Sequence, residues 1–141
     1  MQEKPVKYLY LQPDAALPEL AGLQRFKLIL IVESEVSQMW MWEASRWLVL
    51  SGCRYMLAWG KECGAWQEAV DEANLERFDY GEIPEEDVVM TTSHEDDDLE
   101  EVFWFAKNRA KHPAQDLAET LMVHIGETDK RTEFEDLYKS T

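Results

Sequence analysis

RYMLAWGKECGAW, Arg54 to Trp66, puts a buried strand, a glycine turn and a helix start in immediate succession. Tyr55 to Trp59 is a short apolar run rich in aromatics, and Gly60 supplies the backbone angles that a tight turn needs. Beyond the turn, Trp66, Val70 and Ala73 recur at helical spacing. The stretch is half of a βαβ unit, and the same plan repeats on both sides of it.

Toward the N-terminus, Phe26 to Val32 (FKLILIV) reads as a strand covered on both faces. Glu33 and Ser34 turn the chain into a helix from Val36 to Leu50, with Trp40, Ala44, Trp47 and Leu48 on one face and Gly52 as its left-handed cap. Residues 1–25 hold Pro5, Pro13 and Pro18 and read as an irregular lead-in, in which the alternating run Lys7 to Leu11 suits an edge strand.

Toward the C-terminus, a helix from Glu62 to Phe78 turns Cys63, Trp66, Val70 and Ala73 inward and Glu68, Asp71 and Glu72 outward. Val88 to Thr92 is β-branched enough for a third strand. Leu99, Val102, Phe103, Ala106 and Ala110 form the stripe of a helix that His112-Pro113 stops. A further turn or two of helix is expected over Ala114 to Glu119, then a fourth strand over Leu121 to Gly126, and a short final helix capped by Thr132 within residues 127–141.

Alternating strands and crossover helices predict a three-layer α/β domain spanning 1–141. Its core, residues 26–126, is a mostly parallel four-stranded sheet, Rossmann-like or flavodoxin-like, with helices on both faces. Orders 2-1-3-4 and 3-2-1-4 both satisfy the connection rules.

At 141 residues the chain is long enough to bury a core without disulfides. Cys53 and Cys63 flank a strand of about six residues, hence lie near ~20 Å apart and cannot bridge. No apolar run approaches the ~20 residues of a membrane span, and the N-terminus lacks a secretory signal, so a cytoplasmic protein is expected. The net charge of −15 sits wholly between Glu62 and Glu101, where sixteen acids face one base, Arg77. Such a surface repels nucleic-acid phosphates and suits a basic protein partner; the plainer reading is a solvated face.

Ligands in open α/β sheets bind beyond the strands' carboxyl ends. Those ends carry Glu33, Ser34 and Glu35; Gly60 to Cys63; Ser93 to Asp96; and Gly126, Glu127 and Asp129, with no glycine-rich phosphate motif after any strand. Three functional readings follow. A non-catalytic acidic protein of inhibitor, immunity or regulatory type would bind a basic partner and need no cofactor. A small enzyme would pair Cys63, at a helix N-terminus, with His94 as base, or hold a divalent cation with Glu33, His94, Glu95 and Asp96. A homodimer or partner interface would use the off-stripe Trp42 and Trp104 together with Glu68, Asp71 and Glu72. Against these stand plainer roles: Cys63 as a small buried residue beside Trp66, Asp96 to Asp98 as helix-capping acids, His124 as a packed core residue, and the two tryptophans as helix-to-helix contacts.

The run WLVLSGCRYMLAWGKECGAWQEAVDEAN, followed by FDYGEIPEEDVVMTTSHEDDDLEEVFWFAKNRAKHP, resembles a small bacterial protein family of unassigned function, a domain of unknown function, over roughly Lys27 to Gly126. The resemblance implies a bacterial origin and a stand-alone protein. It implies no activity and no catalytic residue.

Overall fold

Among the described residues the apolar runs pair side by side as five parallel strands in the order β1-β5-β2-β3-β4. The computed structural model describes residues 6–20 and 23–141; of the expected lead-in, residues 1–5 and 21–22 lie outside the described residues. The strands are β1 (Lys7–Leu11), β2 (Phe26–Val32), β3 (Cys53–Gly60), β4 (Met90–His94) and β5 (Glu119–Ile125). The helices are α1 (Gln38–Ser51), α2 (Cys63–Arg77), α3 (Leu99–Asn108) and α4 (Arg131–Ser140). The α/β class with helices on both faces is the expected one, and the alternating run at Lys7–Leu11 adds a fifth strand at the edge beside β5. Counted from β2, the other four strands stand in the order 3-2-1-4.

Period-two alternation divides the strands between two cores. Leu28, Leu30, Met56, Ala58, Leu121 and Val123 face α1 and α2, while Ile29, Ile31, Leu57 and Met122 face α3 and α4. Residues 12–20 pack on the first layer, pinned by the indole N–H groups of Trp40 to the Ala15 carbonyl (3.0 Å) and of Trp47 to the Pro18 carbonyl (2.7 Å).

Gly60 is required twice over. Its φ is +102°, and a Cβ there would stand 2.1 Å from the Val32 carbonyl oxygen, which itself accepts the Lys61 N–H. The turn after β3 thus locks onto the end of β2, and aligns two of the strand ends that frame the site.

Two local expectations are corrected. Residues 114–118 form no helix, because the His112 ring takes the Ala114 N–H at Nδ1 (3.0 Å) and reaches the Val88 carbonyl through Nε2 (2.7 Å), tying the segment to the loop before β4. The last helix starts at Arg131 with Lys130 rather than Thr132 at its N-cap, and the Asp129 carboxylate just before it accepts the Arg131 N–H (2.8 Å).

Candidate functional site at the switch point

Strand order selects the site. After β2 the chain passes to the α1–α2 layer, and after the neighbouring β5 it passes to α4 on the opposite face, so the carboxyl ends of β2 and β5 diverge and leave a crevice. An open, polar cleft of about 720 Å³ lies there, lined by Glu33, Ser34 and Glu35 after β2, Glu127, Thr128 and Lys130 after β5, and Pro13 and Lys61.

Its floor is a chain of hydrogen bonds drawn from three strands and a turn. His124 is completely buried near the end of β5, with Phe134 edge-on at 4.9 Å and the rings of Tyr8 and Tyr10 beside it. Its Nε2 lies 2.6 Å from Glu33 Oε1, and its Nδ1 2.8 Å from the Tyr8 hydroxyl. The Lys130 ammonium donates to Glu33 Oε2 (2.9 Å), and the Lys130 backbone N–H donates to the Tyr8 oxygen (3.1 Å). The proton directions follow from this. An ionised Glu33 can only accept, so the His124 Nε2–H donates to it, and in that tautomer Nδ1 accepts from the Tyr8 hydroxyl.

The electrostatics agree with an ionised carboxylate at the cleft. Partial burial pushes the Glu33 carboxyl up, but the bonds and charges of Lys130 and His124 outweigh it and hold the group below the usual carboxylate range. Burial pushes the Tyr8 phenol up to about 12, so it remains a donor. Lys130 is held above its ordinary value by the bond to Glu33. Gly126 keeps the space open: a Cβ there would lie 2.9 Å from His124 Nε2.

Glu33 is the residue of the expected metal set that reaches this cleft. His94 ends β4, two strand spacings or roughly 10 Å from β2. Both its ring nitrogens are engaged, Nδ1 with Asp97 (2.8 Å) and Nε2 with the Thr92 hydroxyl (2.8 Å). Glu95 and Asp96 point into solvent, and the acid beside His94 is Asp97, whose carbonyl also takes the Trp59 indole N–H. Among the described residues no three His, Cys, Asp or Glu side chains are grouped to hold a metal ion. Asp98 stands at the α3 N-cap without a side-chain cap bond.

The expected Cys63–His94 pair is not assembled either. Cys63 is buried in the α1–α2 layer with Trp66, whereas the His94 ring packs edge-on against Phe105 of α3, on the other face of the sheet. Of the expected interface residues, Trp42 and Glu72 line one groove between α1 and α2, with Glu68 and Asp71 exposed nearby on α2. Trp104 is exposed on α3, under the Arg109 guanidinium at 5.1 Å, so the two tryptophans lie on opposite layers. Tyr8, His124 and Lys130 are the site residues that sequence reasoning missed. The available signal was two tyrosines on one face of Lys7–Leu11 and a histidine two residues before Gly126.

A doubly wound parallel α/β protein with a polar cleft at its switch point is therefore the class that fold and site define. Residues 6–141 match the family model described as Domain of unknown function (DUF7684), and the chain belongs to that family. No curated protein and no solved structure matches it. Among the described residues no helix is long and apolar enough to cross a membrane.

Proposed function

We propose that this protein binds a small amphoteric ligand in the switch-point cleft, with Glu33 as the group that meets it. The observation that carries the reading is the convergence of β1, β2, β5 and the β5–α4 turn on a single carboxylate, about one-third exposed and held through a completely buried histidine. With one bond to each oxygen from His124 and Lys130, Glu33 retains lone pairs toward the cleft, which suit an ammonium or hydroxyl donor. Lys61 and Lys130 suit one anionic group on the same molecule, while Glu35 and Glu127 disfavour a polyanion. Two free, buried cysteines fit a reducing, cytoplasmic setting for this Rossmann-like sheet.

The test is a thermal-shift screen of amino acids, amino sugars and hydroxy acids against the wild type and Glu33→Gln. A ligand at about a hundred times its Kd stabilises by roughly 2.7 kcal/mol, and that gain should vanish in the variant. A screen in which nothing stabilises the wild type, or in which the variant responds equally, contradicts the reading.

The charge distribution favours a second reading, a basic protein partner of inhibitor, immunity or regulatory type. The sixteen acids from Glu62 to Glu101 lie on α2 and its N-cap, in the loop from α2 to β4 that carries Glu85–Asp87, in the β4–α3 turn and at the start of α3, around the edge strand β4. A pull-down at low ionic strength should recover a basic protein that salt releases, and recovery of nothing contradicts it.

A further inference from the structure

Outside the switch point, the end of β4 carries a hydroxyl, an imidazole and a carboxylate in one hydrogen-bonded line. Thr92 and His94 stand two residues apart on the strand, so both project from the sheet face that bears α3, as do their register partners Leu57 and Trp59. Thr92 Oγ1 lies 2.8 Å from His94 Nε2, and His94 Nδ1 lies 2.8 Å from Asp97 Oδ2. A carboxylate can only accept, so Nδ1–H donates to Asp97, and in the neutral ring Nε2 accepts from the Thr92 hydroxyl. The imidazole is thus aimed as a base at a hydroxyl proton. Its ring is held edge-on to Phe105 at 5.3 Å, and the Trp59 indole N–H pins the turn at the Asp97 carbonyl (2.8 Å). Access comes from the layering. α3 lies over β2 and β3, and β4 is the outermost strand, so Thr92 stands half-buried beside the helix.

We infer that Thr92 is the nucleophile of an acyl-transfer site, with His94 as its general base and Asp97 positioning the imidazole, and that neutral or cationic carboxylic esters are its substrates. The Thr92 oxygen bonds to the ester carbonyl carbon as its proton passes to His94 Nε2. The bond from that carbon to the alcohol oxygen then breaks, and Nε2 gives the proton to the departing alcohol. Water attacks the acyl-Thr92 ester by the same route, which releases the acid and restores the hydroxyl. Charge selects the substrate, because exposed Glu95, Asp96 and Asp98 flank the relay and repel an anionic ester.

The probes are p-nitrophenyl acetate and acetylthiocholine, read by product release and, after rapid quenching, by peptide mass mapping. The wild type should turn both over faster than buffer and carry one acetyl group on Thr92. Thr92→Val should reduce the rate to that of buffer, and His94→Gln should lower it about a hundredfold or more. Thr92→Ser keeps the hydroxyl and should retain turnover, as should Thr91→Val, whose hydroxyl bonds to Asp71 on the opposite face. Asp97→Asn should lower kcat about tenfold or more with KM unchanged, and Asp97→Glu should restore part of the loss. Circular dichroism checks that each variant is folded; where Thr92→Val is not, the acetyl map of Thr92→Ser decides. Turnover that survives Thr92→Val in the folded protein, or an acetyl group mapped to a lysine instead, overturns the assigned nucleophile. Equal turnover of anionic p-nitrophenyl succinate overturns the substrate class. A wild type with neither turnover nor acyl-Thr92 overturns the site and reduces the three residues to a hydrogen-bonded turn.

Discussion

Replacing Glu33 by alanine should cost more than replacing it by glutamine, and the difference isolates the His124 bond. In Glu33→Ala the Nε2–H of a completely buried ring loses its acceptor at 2.6 Å. A buried donor left unsatisfied costs about 1–3 kcal/mol. The Lys130 half of the pair is smaller, because both side chains are about one-third exposed (36% and 32%) and an exposed ion pair contributes roughly 0–1 kcal/mol. The expected loss is therefore about 2–3 kcal/mol, on the order of a 6–12 °C fall in Tm for a chain of this size. Glu33→Gln keeps a carbonyl acceptor for His124 and loses only the ion pair, within about 1 kcal/mol of wild type. Urea denaturation at neutral pH, with slopes compared between variants, measures both. The carboxyl is depressed in the fold, so its contribution is present above its ordinary value of 4.5 and is lost as pH falls through the lower folded value; the gap between wild type and Glu33→Gln should close in acid. Alanine and glutamine variants of equal stability would refute the proposed role of the His124 bond.

Gly60→Ala should destabilise by more than about 2 kcal/mol in the same assay, since a left-handed alanine costs about 1–2 kcal/mol and its Cβ would lie 2.1 Å from the Val32 carbonyl oxygen. Stability should fall on the alkaline side, because burial pushes the Cys53 thiol from 9.0 to about 12 and the Tyr8 phenol from 10.0 to about 12; their neutral forms favour the fold below the ordinary values, and that preference is lost as pH rises through the window. Tm measured from pH 8 upward should therefore decline beginning at roughly pH 9, and a flat profile to about pH 11 would contradict it. Both cysteines are buried, so a thiol reagent should label neither in the native protein and both in denaturant; fast native labelling of Cys63 would contradict its placement.

The fold was legible because the hydrophobic period changes at identifiable residues. FKLILIV and YMLAW are continuous apolar runs bounded by turn residues, and the stripes after Gly60 and Asp98 have helical spacing. Strand order was not legible, since several orders satisfy the same connection rules, and order decides which strand ends meet. Glu33 was correctly read as standing at a strand end, yet its neighbour is β5 with His124, while His94 stands two strands away. Cys63 and His94 fail for a related reason: position along the chain tells which end of a strand a residue occupies, but the layer it enters depends on the helix that carries it. Tyr8 and Lys130 were invisible as partners because they lie more than a hundred residues apart and meet only when β1 closes the edge beside β5.

The most direct test of the switch-point site is long-range proton–nitrogen NMR of the His124 imidazole, in wild type and Glu33→Ala. The assigned proton directions predict a single tautomer with the proton on Nε2, shifted downfield and protected from water, and lost in the variant. A His124 ring that exchanges its proton as fast as a free imidazole, or a spectrum unchanged by removing Glu33, would contradict the architecture proposed for the cleft.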